Sequence, residues 1–363
     1  MNKIKVLIVD DSALVRQMLS NMLNEDDEIQ VIGTAIDPVF AIQKIMRDPP
    51  DVITLDVEMP RMDGLTFLEK LMISYPTPVV MISSHTKKGC DTTLRALELG
   101  AVDFIAKPER NTLTNLEKLK YEIIAKVKNA ARVNLKAAGR IPSKDTKHAS
   151  NLGSELKVAV HELPDENDRR HPEKLGTHLI CAIGASTGGV TAIRAVVEKL
   201  HPKGYSIIIV LHMPPGFTKS FAERLGSLNG WISFEAVDGQ MVEAGKIYVA
   251  PGGKNMTVEK RNKSIFIRVR PCEVTDVFKP NVNKMFESVA RNIGPEAVGV
   301  ILTGMGDDGA KGMLKMRQAG AVTIAQDAES CMVFGMPKKA IEAGGVDYTV
   351  PLELIASKLA NII

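Results

Sequence analysis

The sequence predicts an α/β protein of two doubly wound, mainly parallel-sheet domains, the second with an antiparallel hairpin. Three observations lead there. The chain has 363 residues, well beyond the roughly 100–150 of a typical domain. Short β-branched apolar runs alternate with helical patterns, which is how βαβ units read. That alternation stops between residues 134 and 177 and then resumes, so the chain falls into two blocks.

In the first block, residues 4–9 (Ile-Lys-Val-Leu-Ile-Val) suit a buried parallel strand, and similar runs recur at 52–55, 79–82 and 102–105. Residues 12–23 place Leu14, Val15, Met18, Leu19, Met22 and Leu23 along one helical face. A helix through Leu116, Leu119, Ile123 and Val127 closes the unit. The following stretch holds Gly139, Pro142, Gly153, Pro164 and Pro172 among polar and charged residues and reads as a linker. The expected division is a domain over 1–132, a linker over 133–177 and a second domain over 178–363.

The second block offers strands at 179–183, 206–211, 298–302 and 321–325, separated by helical segments. Residues 246–250 and 264–269 flank Pro251-Gly252-Gly253 and read as an antiparallel excursion.

Composition narrows the function classes. Charged residues make up 25% of the chain with a net charge of only +3, and no basic recognition motif is evident, so nucleic acid is not an expected partner. Cys90, Cys181, Cys272 and Cys331 lie far apart with no CxxC pair, which disfavours zinc and a disulfide framework and suits a reducing compartment. Asp10 and Asp11 interrupt the N-terminus before a signal-peptide core forms, and no apolar run nears the roughly 20 residues that span a bilayer. The expectation is a cytoplasmic protein without membrane insertion.

Asp10 and Asp11 follow the first strand and Asp56 the run at 52–55, neighbouring carboxyl ends in a parallel sheet. Three converging carboxylates repel one another unless a cation neutralises them, and an all-oxygen site suits Mg²⁺. Asp56 could then accept a phosphoryl group, with Lys107 offsetting its charge and the Ser83 hydroxyl bonding the product. The bland alternative is that these acids are solvated loop residues or helix N-caps. Val9-Asp10-Asp11-Ser12, the segment from Leu55-Asp56 to Asp63-Gly64, Ser83 and Lys107-Pro108 together resemble a response-regulator receiver domain over about residues 1–130. The resemblance implies Asp56 as phospho-acceptor, Asp10 and Asp11 as Mg²⁺ ligands, a histidine kinase as phosphodonor, and Ser83 with Phe104 as the switch that senses phosphate.

In the second block, Gly184-Ala185-Ser186-Thr187-Gly188-Gly189 joins a strand to a helix. It lacks the GxGxxG spacing of a dinucleotide turn, and the next strand ends in His212 instead of a ribose-binding acid. As GxSxG it sets Ser186 on a tight strand-to-helix turn. His212 follows another strand, and Asp307-Asp308 come shortly after a third. A nucleophile, a base and an acid partner thus converge, although serine, histidine and aspartate at such places also serve as helix caps.

Gly184-Ala-Ser-Thr-Gly-Gly, His212-Met-Pro-Pro-Gly-Phe, Tyr248-Val-Ala-Pro-Gly and Leu302-Thr-Gly-Met-Gly-Asp-Asp-Gly resemble the chemotaxis protein-glutamate methylesterases, from about His178 to the C-terminus. The resemblance implies Ser186 as nucleophile, His212 as general base and acid, and Asp308, rather than Asp307, as the acid partner. It also implies no cofactor in this domain, methyl-accepting chemoreceptors as substrate, and glutamine deamidation by analogous chemistry. Backbone N–H groups near Thr187 and Met305 are candidate oxyanion donors. Three positions depart from the family pattern: Leu211 where glutamine is usual, Asp307 where asparagine is common, and Lys279-Pro-Asn-Val-Asn283 in place of an Arg-Pro-Ser-Val-Asp-like segment.

Overall fold

The computed structural model describes residues 3–59, 62–84, 86–107, 113–133, 135 and 179–363. The expected linker, apart from residues 133 and 135, lies outside the described residues.

The first unit is a five-stranded parallel sheet in the order β2-β1-β3-β4-β5. Its strands are β1 (Ile4–Val9), β2 (Ile29–Ala35), β3 (Val52–Asp56), β4 (Val79–Ser83) and β5 (Asp103–Ala106). Helices α1 (Ala13–Asn24), α2 (Pro38–Arg47), α3 (Gly64–Ser74), α4 (Lys87–Leu99) and α5 (Leu113–Ala130) connect and cover them. Leu19, Met22 and Leu23 of α1 and Leu119, Ile123 and Val127 of α5 are buried on one face with Val6 and Ile8. Burying the period-3.6 face of each helix against a sheet is what stabilises the layer.

The second unit is a seven-stranded parallel sheet, β14-β13-β12-β6-β7-β9-β8. It comprises β6 (Leu179–Ala185), β7 (Tyr205–Leu211), β8 (Ile232–Glu235), β9 (Lys246–Val249), β12 (Ala297–Ile301), β13 (Val322–Gln326) and β14 (Tyr348–Val350). A separate antiparallel hairpin pairs β10 (Lys254–Arg261) with β11 (Ser264–Pro271). The helices are α6 (Gly189–Val197), α7 (Phe217–Leu225), α8 (Val282–Asn292), α9 (Ala310–Gln318), α10 (Met336–Glu342) and α11 (Leu352–Ala360).

The hairpin is not built from the two segments that flank Pro251-Gly252-Gly253. Residues 246–249 enter the main sheet in parallel between β7 and β8, where Ile247, Tyr248 and Val249 are fully buried. The partner of β11 is instead β10, which alternates buried Met256 and Val258 with polar residues and ends in Glu259, Lys260 and Arg261. Asn262, at φ 52°, turns the hairpin, a left-handed conformation that asparagine tolerates better than most residues. Strands β2, β8 and β14 had no apolar run to announce them, and each lies at a sheet edge, where only part of the strand faces the core.

The two units pack against each other. Glu98 of α4 pairs with Arg194 of α6 at 2.7 Å and with Arg224 of α7 at 2.5 Å. The Phe104 ring of β5 lies 4.4 Å from that of Phe217 in α7, centroid to centroid. One apolar cluster runs through both units, including Leu94, Leu97 and Phe104 on one side and Val190, Phe217 and Phe221 on the other.

Candidate functional site

In both sheets the strand order reverses beside the first strand, with β1 between β2 and β3 and β6 between β12 and β7, so a crevice opens at its carboxyl end. Each unit carries its chemistry there.

In the first unit Asp10 follows β1 and Asp56 ends β3. Asp10 and Asp56 are almost fully buried while Asp11 is exposed, and a carboxylate oxygen from each of the three lies within 4.8 Å of the other two. None of the three is an N-cap. Ser12 caps α1, accepting from the Val15 amide, and Asp10 Oδ1 accepts from the Ser12 amide at 2.8 Å. Lys107 Nζ reaches Asp56 Oδ2 at 2.8 Å and Asp10 Oδ2 at 3.3 Å. Burial raises the Asp56 carboxyl to about 6; the hydrogen bond from Lys107 opposes this, and the charge of Asp10 adds to it. Burial also raises Asp10, against the pull of Lys107. For Lys107, burial lowers the ammonium pKa, but its bond to Asp56 and the two carboxylate charges outweigh this and leave it raised.

Among the described residues Asp10 Oδ2 is buried without a hydrogen-bond partner; the ion pair with Lys107 is close but poorly directed. An orphaned, desolvated carboxylate oxygen beside two more carboxylates fits a hard divalent cation that takes oxygen ligands. Ser83, at the end of β4, is fully buried and takes a 2.5 Å hydrogen bond from Thr93. Phe104 is buried against Phe217, and Lys126 donates to its carbonyl and lies over its ring.

In the second unit, Ser186 follows β6, His212 follows β7, and Asp308 lies in the loop after β12, three adjacent strands. Ala185 is in register with Leu211, and the His212 amide donates to Ala185 O at 3.2 Å, so Ser186 and His212 leave the sheet side by side. The Ser186 amide donates to Thr303 O at 3.0 Å, tying the serine to the β12 loop. Gly304 is required there: a Cβ on it would stand 2.7 Å from Ser186 Cβ. His212 Nε2 meets Asp308 Oδ2 at 2.8 Å. Asp308 is 1% exposed and also accepts from the Val282 and Asn283 amides at 2.7 and 2.9 Å. Those amides belong to the first turn of α8, where the helix favours a negative charge.

Neither Ser186 nor Asp308 caps the helix that follows it in the chain. The N-cap of α6 is Gly188 and that of α9 is Gly309, both without a side-chain bond. Asp307, next to Asp308, is exposed. Ser186 Oγ makes no hydrogen bond among the described residues; such bonds are often loose before substrate arrives. The amides of Thr187 and Met305 likewise donate to no acceptor among the described residues.

Ser186, His212, Thr187 and Met305 line a cleft of about 890 Å³ whose opposite wall comes from the first unit, through Asp103, Phe104 and Lys126. Thr187 Oγ1 donates to Asp103 Oδ2 at 2.7 Å. Three residues here had no sequence signal. Asp103 reaches Thr187 across 84 residues of chain, Glu98 bridges two arginines of the other unit, and the Phe278 ring stacks on His212. Two of the departing positions have structural roles. Leu211 is buried against the start of α6, where a Cβ on Gly189 would come within 2.6 Å of it. Asn283 Oδ1 accepts from the Gly312 amide at 2.8 Å, joining α8 to α9.

Fold and sites define the class: a receiver-type unit with a buried acidic cluster, joined to an α/β unit that gathers a serine, a histidine and a buried aspartate in one cleft. The receiver family model matches residues 6–118 and the CheB methylesterase model residues 181–359. A protein of Hydrogenovibrio crunogenus named protein-glutamate methylesterase/protein-glutamine glutaminase is 44% identical over the full length of both chains. Similarly named proteins of Xanthomonas campestris pv. campestris (46%, covering 98% of this chain and 96% of that one) and Salmonella typhi (45%, 99% and 97%) match equally well. The chain belongs to the CheB family of receiver-linked protein-glutamate methylesterases. No described helix is long and apolar enough to cross a membrane.

Proposed function

We propose that this chain is a phosphorylation-activated serine hydrolase that demethylates glutamyl methyl esters of chemoreceptors, releasing methanol, and deamidates receptor glutamines, in chemotactic adaptation. The observation that carries this is the linked Asp308–His212 pair beside Ser186 in a single cleft.

Ser186 Oγ attacks the ester carbonyl while His212 takes its proton. Since Nε2 is engaged by Asp308, Nδ1 is the nitrogen that accepts it. Asp308, held by two fixed amides, stabilises the imidazolium without taking the proton. The Thr187 and Met305 amides receive the developing oxyanion. His212 returns the proton to the departing methanol, and water then cleaves the acyl-enzyme by the reverse route. With a glutamine side chain the leaving group is ammonia.

Asp56 is the phospho-acceptor, supplied by a histidine kinase. Asp10, Asp11 and Asp56 would hold Mg²⁺, which supplies charge neutralisation for phosphoryl transfer. Lys107 orients the Asp56 carboxylate, and Ser83 with Phe104 senses the product. Unphosphorylated, the receiver walls the cleft, holding Thr187 through Asp103 and α6 and α7 through Glu98. Phosphorylation weakens that packing and shifts an interdomain equilibrium. The domain division is residues 1–132, a linker over 133–177 and 178–363, and the protein acts in the cytoplasm.

The test is methanol release from methylated receptor by the wild type and by Ser186→Ala, with and without a small-molecule phosphodonor. Release that requires Ser186 and rises with the phosphodonor supports the reading. Release that persists without Ser186 assigns the chemistry elsewhere.

A further inference from the structure

Among the described residues His212 has one in-plane partner, Asp308, and a single hydrogen bond sets where Nε2 points without fixing the tilt of the ring. The second constraint is Phe278. Its ring lies 4.8 Å from the imidazole, centroid to centroid, with an interplanar angle of 5°. A flat stack of this kind restricts rotation about the histidine Cβ–Cγ bond and keeps water from one face.

Phe278 is itself held. It belongs to residues 272–280, which join the end of β11 to the Asn281 cap of α8. Asp276 pins this segment, accepting from the Asn255 side chain at 2.6 Å and the Glu273 amide at 2.8 Å, and pairing with Lys284 at 2.8 Å. Behind the ring, Gly306 at φ +88° leaves the room it needs: a Cβ there would lie 3.2 Å from Phe278 Cζ. The chain then runs directly into Val282 and Asn283, whose amides hold Asp308. One short stretch therefore fixes both the acid and the face of the base it serves.

We propose that Phe278 is a positioning residue whose flat ring fixes the plane of His212, so that Nδ1 faces Ser186 while Nε2 stays on Asp308. This rests on the serine-hydrolase reading above. The half-buried ring touches the base and not the reacting bond, so its removal acts on the chemical step more than on substrate affinity.

The experiment compares full-length wild type, Phe278→Leu, Phe278→Tyr and Ser186→Ala, all with phosphodonor. It measures kcat and KM for methanol release and records the His212 ring nitrogens by NMR. Leucine keeps apolar bulk without a flat face and is expected to lower kcat about 10–100-fold, the scale of a small misplacement of a catalytic group. KM should stay within about twofold, as when an interaction made in the transition state is lost. Tyrosine restores the flat face and most of kcat. The NMR spectrum should show one Nε2–H tautomer in wild type and the tyrosine variant, and exchange broadening in the leucine variant.

Wild-type kcat in the leucine variant, beside an inactive Ser186→Ala, overturns this proposal and leaves the hydrolase reading standing. Equal losses in the leucine and tyrosine variants, or a loss confined to KM, overturn it by assigning Phe278 to packing or to substrate contact. An active Ser186→Ala overturns the hydrolase reading itself.

Discussion

Asp56 and Asp308 are both buried aspartates at the crevice of a doubly wound sheet, yet their surroundings differ in kind. Asp56 faces a lysine and a second buried carboxylate with an orphaned oxygen, and its carboxyl is raised to about 6. Asp308 faces two backbone amides and an imidazole. The first arrangement is unsatisfied and reserves room for ligands; the second is complete and holds an orientation. Burial alone therefore does not assign a role to an aspartate. The number and rigidity of its donors does.

The comparison is tested hardest at the second site. Ser186→Ala should lower methanol release by a factor of about 10³ or more, as removal of a triad nucleophile does elsewhere, measured by single-turnover assay. Asp308→Asn should cost roughly 10²–10⁴-fold, because the amide cannot support the imidazolium and sets an N–H against a backbone N–H. If Asp308→Asn keeps full activity, orientation by fixed amides is not its function. Asp307→Asn, one residue away and exposed, should stay within about twofold.

At the first site, Asp56→Asn should abolish the phosphodonor response and leave basal release intact, and chelating divalent cations should do the same to the wild type. Its effect on stability runs the other way. A carboxyl raised in the folded state binds more protons folded than unfolded, so stability is lost as pH rises from about 4 to about 6 and is flat above that. The cost above that window is about 2–3 kcal/mol, and Asp56→Asn removes it. Urea unfolding should therefore show the variant more stable than wild type at pH 7.5 and similar at pH 4, with Mg²⁺ narrowing the gap at pH 7.5 by stabilising the wild type. A variant less stable at pH 7.5 would mean that the Lys107 pair outweighs the burial penalty. The smallest effect is expected at the interface, where Glu98→Gln should raise the unphosphorylated rate a few-fold by loosening its two arginines, on the scale of partly exposed ion pairs.

Legibility followed burial. Strands buried on both faces, such as 4–9 and 206–211, stood out as apolar runs, whereas edge strands β2, β8 and β14 did not. Residues 246–249 were recognisable as a strand but not as a parallel member of the main sheet, since pairing direction is not written in an apolar run. The carboxyl-end residues were legible because the strand preceding each one was. Asp103, Glu98 and Phe278 were not, because each matters through a partner distant in the chain.

What the sequence alone determined is local: which of the buried segments are strands and helices, and which serine, histidine and aspartates follow a strand, since hydrophobic period and turn residues are properties of neighbours in the chain. The tertiary structure decided which of those ends became adjacent, brought Asp308, which the family resemblance already favoured over Asp307, onto His212, and made the receiver a wall of the cleft. Those outcomes depend on strand order and on contacts between residues far apart in sequence, and only the closed fold sets them.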